Sequence, residues 1–208
     1  MTNSHQKDRT DPADDLVKLA RTERDAFGQL FDHFSPFIFA YCTRRLAVRA
    51  IAEDVASEVF LKVAQGIRGF PGLCVEDFRR WLFRIATNEI NAQLRQSIRR
   101  RELLEAAAYM GRINASVSTP LLDDASPIEW QEVYEALGTL TDREQSIISL
   151  RFFGGLKHEQ IADVLEVKVG TIRVALSRAL DSLRDRLRKR KVERRSASDS
   201  PQGDYENA

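Results

Sequence analysis

Cysteine, histidine, glycine and proline are all scarce in this chain, and each shortage removes a class of function. The two cysteines, Cys42 and Cys74, are too few for a disulfide framework and have no partner at metal-ligand spacing. The three histidines, His5, His33 and His158, are scattered, and neither a metal nor any other cofactor is expected. No phosphate-cradling glycine loop appears among the ten glycines. No nucleophile–base pair stands at a recognisable spacing either, so the chain reads as non-catalytic. Long apolar runs are missing too: nothing approaches the roughly 18–20 residues that cross a bilayer. The opening MTNSHQKDRTDPADD is polar and has none of the apolar core of a signal peptide. The expectation is a soluble, cytoplasmic chain with no membrane insertion.

What is present is helix. From Ala13 to Lys191 apolar residues recur three and four apart rather than alternating, which predicts an all-α protein. Thr22 and Asp25 suggest a helix start, followed by Phe27, Leu30, Phe31 and Phe34. Pro36 is expected to interrupt that helix before a segment carrying Ile38, Tyr41, Cys42 and Leu46. A third helix covers about Ala50 to Ile67. Gly66, Gly69, Pro71 and Gly72 then mark a loop, and a long helix runs from near Glu76 to the Arg99–Arg101 cluster. Periodicity weakens beyond it.

This gives two small helical domains on a flexible linker: residues 1–12 as a disordered tail, 13–104 as the first domain and 105–125 as the tether. Residues 126–191 form the second domain and 192–208 a polar disordered tail. In the second domain Ser126 with Glu129, and Thr141 with Glu144, have capping-box spacing.

A formal net charge of +1 conceals a strong pattern. Arg79, Arg80, Arg84, Arg95, Arg99, Arg100 and Arg101 face one acid, Glu89, over that stretch. A second basic block runs from Arg173 to Arg195, and the segment between them is acidic. Two cationic blocks across an acidic spacer suit a protein that touches a polyanion in two places.

Leu156–Leu183 carries the sharpest pattern. Ile161, Ala162 and Leu165 give a short helix one buried face, and Glu166–Gly170 is a tight turn. The Thr171 hydroxyl is placed to cap a final helix. There Ile172, Leu176, Ala179, Leu180, Leu183 and Leu187 form a buried stripe. Arg173, Val174, Ser177, Arg178 and Asp181 fall on the other side. Arg173 and Arg178 can pair with phosphates or guanine edges, Ser177 can hydrogen-bond, and Val174 suits a thymine methyl. Lys168 and the helix N-terminus suit a phosphate. Asp181 should lie beyond the groove.

Leu140–Leu183 closely resembles region 4 of the sigma-70 family, in its extracytoplasmic-function (ECF) type. The match rests on LTDREQSIISLRFFGGL and on Glu159, Ile161, Ala162, Leu165, Val169, Gly170, Thr171, Ile172 and Arg173. Where members often continue Ser-Arg-Leu, this chain has Val174-Ala175-Leu176. Phe27–Arg101 resembles region 2, through AEDVASEVFLKV and FRRWLFRIATNEI. The resemblance implies a region 2 helical bundle and a region 4 helix-turn-helix that recognise the −10 and −35 promoter elements. Lys168, Thr171, Arg173, Val174, Ser177 and Arg178 become the −35 contacts, and Arg79, Arg80, Arg84 and Asn88 the −10 contacts. The loop Phe70–Asp77 occupies the place where ECF members form a pocket for a flipped base. Trp81 is expected in the core.

On the helix Ile51–Ile67, Asp54, Ser57, Glu58 and Gln65 surround Leu61 opposite a buried arc of Ile51, Ala52, Val55, Ala56, Val59, Phe60 and Val63. In the family this helix docks on the beta-prime clamp of core RNA polymerase, which makes Asp54, Ser57, Glu58 and Leu61 the core-binding set. The usual D-L-V-Q-E reads Asp54-Val55-Ala56-Ser57-Glu58 here. The beta flap, promoter DNA and an anti-sigma factor are the other partners the resemblance implies. A stand-alone duplex-binding regulator and a polymerase adaptor remain the alternatives.

Overall fold

A computed structural model describes residues 12–46, 48–109 and 136–198. The cap expected at Ser126, residues 110–125 of the tether and most of both tails lie outside the described residues. The described chain is helical throughout, apart from turns and short loops. A first group comprises α1 (Pro12–Leu19), α2 (Arg24–Leu46), α3 (Arg49–Gly66) and α4 (Val75–Tyr109), with a 3-10 turn at Ile67–Gly69. A second comprises α5 (Asp142–Phe152), α6 (His158–Leu165) and α7 (Val169–Ser198). Among these helices none is long and apolar enough to cross a membrane.

In the first group α2 packs on α3 and α4, α3 on α4, and α1 across α2 and α4. Phe34, Ile38, Tyr41, Val59, Val63, Phe78, Leu82, Phe83 and Ile90 fill the space between them, each at most 1% exposed. Burying a side chain of this size is worth about 1.5–3 kcal/mol. Tyr41 brings a hydroxyl into that core and satisfies it against Thr87 Oγ1 at 3.0 Å. Burial pushes the phenol up to about 12, so it stays a neutral hydrogen-bonding group.

Four local expectations need correction. Pro36 does not interrupt α2, which runs unbroken through it. An interior proline costs about 3 kcal/mol, but Phe34, Ile38, Tyr41 and Cys42 are buried on both sides of it while Pro36 faces solvent. Thr22 does not start α2: its hydroxyl donates backward to the Leu19 carbonyl at 3.3 Å, closing α1. The long helix does not stop at Arg101, because Glu102–Tyr109 contains only good helix formers, and α4 continues through them. α7 likewise continues past Lys191, to Ser198.

The second group follows its sequence pattern closely. Thr141 caps α5, its side chain accepting from Glu144 N–H while Glu144 accepts from the Thr141 N–H at 3.0 Å. Gly154 and Gly155 end α5. Gly155 has φ +65°, and a Cβ on Gly154 would lie 2.7 Å from the Leu150 carbonyl oxygen. Gly155→Ala should therefore lower stability by about 1–2 kcal/mol, read as a reduced urea midpoint at unchanged slope.

Candidate nucleic-acid and polymerase interface

The helix-turn-helix is α6 and α7, joined through Glu166 in the left-handed region at φ 55°. Its Val167 N–H returns to the Ala162 carbonyl at 3.0 Å. Ile161, Ala162, Val164, Ile172, Leu176 and Ala179 are buried at the crossing, while Leu165, Leu180, Leu183 and Leu187 are half-buried. Lys168, Thr171, Arg173, Val174, Ser177, Arg178 and Asp181 are all exposed, and Val174 is 51% exposed. Thr171 is not a cap. It lies inside the first turn, its N–H bonded to the Lys168 carbonyl at 2.9 Å, so its hydroxyl faces solvent beside the other polar groups. Arg173 reaches Glu159 of α6 at 3.6 Å, with both side chains more than 60% exposed. Such a pair holds an arginine only loosely.

On α3 the buried arc contains Ala52, Val55, Ala56, Val59, Phe60 and Val63, with Ile51 half-buried. Asp54, Ser57, Glu58 and Gln65 are exposed, and Leu61 stands among them at 52% exposure. The Ser57 hydroxyl donates to the Glu53 carbonyl at 2.9 Å. Its proton is thus committed within the helix, leaving lone pairs to offer a partner. Lys62 lies 3.7 Å from Glu58 and 2.7 Å from Glu89.

The third surface is a cleft of about 450 Å³ between the loop after Gly69 and α4, lined by Phe70, Pro71, Gly72, Asp77, Arg80, Trp81, Arg84 and Asp163. Trp81 packs against the core but is not inside it. Its ring stacks on Phe70 at 4.8 Å and 23° and forms a wall of the cleft. Gly72 is required there, since a Cβ would fall 2.6 Å from that of Asp77 and 2.2 Å from the edge of the Phe70 ring. The loop is pinned from outside: Arg21 donates to the Gly72 carbonyl, Val75 N–H to Asp14 at 2.8 Å, and Leu73 N–H to Asp77 at 3.2 Å. Burial alone would raise the Asp77 pKa, but hydrogen bonds from Cys74, the Leu73 N–H and Arg80 outweigh it and hold the carboxyl below its usual range. A stacked aromatic floor, two guanidinium groups and a fixed acceptor suit an unstacked base with its phosphate.

Of the four residues expected at the −10 element, Arg80 and Arg84 line this cleft. Asn88 is exposed further along α4. Arg79 turns elsewhere, its guanidinium 5.8 Å from the Phe37 ring centre and against Gly155. Sequence reasoning missed Asp163, which enters from α6. No local pattern could have found it, because its contacts with Arg80 and Arg84 span about eighty residues.

A helix-turn-helix joined to a helical bundle with an acidic face and a cationic aromatic cleft defines a two-part protein of transcription. Family models for Sigma-70 region 2 and for Sigma-70, region 4 match residues 30–101 and 136–185. The ECF RNA polymerase sigma factor RpoE of Cereibacter sphaeroides is 30% identical over 189 residues, covering 86% of this chain and 99% of that protein. BldN of Streptomyces coelicolor is 30% identical over 175 residues, covering 81% of this chain but 63% of BldN. Among solved structures, the sigma factor RpoE of Bartonella quintana, in complex with the anti-sigma factor NepR, aligns with TM-score 0.61 at 25% identity, covering 78% of this chain and 96% of that one. The chain belongs to the sigma-70 family, in its ECF subfamily. The two matched regions are the ones that serve core polymerase binding and promoter recognition.

Proposed function

We propose that this sigma factor divides initiation among the three surfaces. The α3 face, with Asp54, Ser57, Glu58 and Leu61, docks on the basic beta-prime clamp of core polymerase. The α7 face, with Lys168, Thr171, Arg173, Val174, Ser177 and Arg178, reads the −35 major groove while the second domain leans on the beta flap. The cleft and α4, through Arg80, Arg84 and Asn88, hold the melted −10 strand, while Arg79, turned toward Phe37 and Gly155, takes no part in the cleft. Residues 13–104 and 126–191 act as the two functional units, with 105–125 as their tether.

The polymerase performs all the chemistry, and the chain works where the chromosome is, in the cytoplasm. An anti-sigma factor that masks these surfaces is a fitting regulator, as NepR is a partner of the Bartonella relative. The supporting observation is that one chain carries both a duplex-reading helix and a separate aromatic cleft suited to single strands. A stand-alone repressor has use only for the first. In run-off transcription on fragments of the source genome, core enzyme should initiate at defined sites only when the chain is added. No chain-dependent start site would sink the proposal.

A further inference from the structure

Phe70, Pro71 and Gly72 line the cleft, yet little within the loop that carries them sets its course. Leu73 is 62% exposed and Pro71 is exposed, so packing anchors neither. Main-chain bonds secure the two ends, Phe70 N–H to the Ile67 carbonyl at 3.2 Å and Phe78 N–H to the Cys74 carbonyl at 3.1 Å. The stretch between them is held by side chains, and two of these come from the first helix. Asp14 Oδ1 accepts from the Val75 N–H at 2.8 Å, across 61 residues of sequence. The Arg21 guanidinium donates to the Gly72 carbonyl, across 51. Asp14 lies in the first turn of α1 and Arg21 in the turn that ends it, about two helical turns further on and so on the same side. A helix of eight residues is not stable alone. Val17 and Ala20, at 0% and 4% exposure, fasten it to the bundle, and its polar side is presented to the loop from a fixed base.

Each contact does something that no neighbour in the loop does. Cys74, the residue before α4, is not among the side chains that cap a helix well. The Asp14 carboxylate takes that part from another helix, accepting the first N–H of α4 and placing a negative charge at its N-terminus. Arg21 fixes Phe70 as well as Gly72. Its guanidinium carbon lies 5.9 Å from the Phe70 ring centre, while Trp81 stacks on that ring and Phe78 meets it edge-on at 6.0 Å. Arg21 Nε is buried without a hydrogen-bond partner, a cost that a solvated arginine would escape, so the side chain is held by what it binds. Neither Asp14 nor Arg21 lines the cleft.

We propose that Asp14 and Arg21 are positioning residues for single-strand capture. From α1 they fix the path of Gly72–Val75 and the Phe70–Trp81 stack, so the cleft is ordered before the strand arrives. An ordered cleft loses less conformational freedom on binding, and a loop that is competent for a fraction of the time weakens binding by that fraction.

This inference rests on the reading of the cleft as the single-strand site, and the test separates the two. Holoenzyme assembled from core polymerase and the full chain is titrated with a short fluorescein-labelled single-stranded oligodeoxynucleotide of randomised sequence, with core enzyme alone as the baseline. Asp14→Ala should weaken binding about five-fold, as for a competent fraction of about one fifth. The sign is informative, because removing an acid near a polyanion strengthens binding where charge alone acts. Asp14→Asn keeps an acceptor for the Val75 N–H and should bind at least as tightly as the unaltered chain. Arg21→Ala should weaken binding about tenfold at an unchanged salt slope, whereas loss of a direct phosphate contact lowers the slope by about one. In a Trp130→Phe background Trp81 is the remaining tryptophan. There Arg21→Ala should shift the emission of the free chain to longer wavelength as the Trp81 ring gains water.

If Arg84→Ala leaves probe affinity unchanged, the reading of the cleft fails and the inference with it. If Arg84→Ala weakens binding while Asp14→Ala and Arg21→Ala do not, the cleft stands and the positioning role is overturned. The positioning role also falls if Asp14→Asn loses as much affinity as Asp14→Ala, if Arg21→Ala lowers the salt slope by about one, or if Trp81 emission does not move.

Discussion

A chain carrying Asp54→Lys and Glu58→Lys should lose about a hundredfold or more of its affinity for core polymerase, with its helicity and unfolding midpoint unchanged. Both carboxylates stand on the exposed face of α3, opposite the arc that packs the core. Glu58 contacts Lys62 only at 3.7 Å, with both side chains over 40% exposed, and Lys62 keeps its shorter contact with Glu89. Pairs of this kind contribute at most about 1 kcal/mol, so the free chain gives up little. The docked chain gives up much more. A truncated charge in a buried ion pair costs about 2–5 kcal/mol, and a reversed one adds like-charge repulsion against a basic partner. Three kilocalories is already more than a hundredfold, at about 1.4 kcal/mol per decade. Leu61→Ala should weaken binding by a smaller factor, because it removes apolar contact without repulsion. Pull-down or fluorescence titration with core enzyme, beside circular dichroism melts, reads both quantities. Unchanged affinity would move the docking site off α3.

What sequence could and could not disclose follows from the range over which each feature is encoded. The helix-turn-helix was legible nearly residue by residue. The 3.6-residue period sorts Ile172, Leu176 and Ala179 inward and Arg173, Val174, Ser177 and Arg178 outward, and the Thr141–Glu144 cap is complete within four residues. Val164 was missed as a buried residue because it flanks the expected stripe. Pro36 misled because its local penalty is real but is outweighed by the apolar residues packed on both sides of it. Trp81 misled differently. Helical spacing places it toward the core, but the loop brings Phe70 over its face, and that stacking depends on the path of Phe70–Cys74. The contacts furthest from sequence are the pairs between the two groups of helices. Arg45 with Gln145 and Arg80 with Asp163 join residues about a hundred and about eighty positions apart, and no periodicity within either helix specifies its partner.

Removing both arginines of the reading helix, Arg173→Ala with Arg178→Ala, should lower promoter-specific initiation about a hundredfold while core binding is retained. Both side chains are exposed, and the Arg173–Glu159 contact of 3.6 Å contributes little to the fold. The loss therefore belongs to DNA. A bidentate arginine–guanine contact is worth about 1–3 kcal/mol of discrimination, so two such contacts reach the hundredfold level even at modest individual values. The single variants separate reading from holding. An arginine on a guanine edge loses its preference at one base position when replaced. An arginine on a phosphate weakens all sequences alike and reduces the salt dependence by about one unit of slope. Val174 makes this distinction informative. With Val174-Ala175-Leu176 following Arg173, the face next to Arg173 has an exposed apolar residue and no second cation. Arg173 is then the stronger candidate for the base contact and Arg178, a turn further on, for the phosphate. Randomising the −35 region in a pool of transcribed templates and sequencing the transcripts reads the outcome. Arg173→Ala should flatten one position of the preferred site, whereas Arg178→Ala should leave the preferred sequence intact and lower its yield. The opposite pattern would exchange the two roles, and no change in either would remove α7 from the −35 groove.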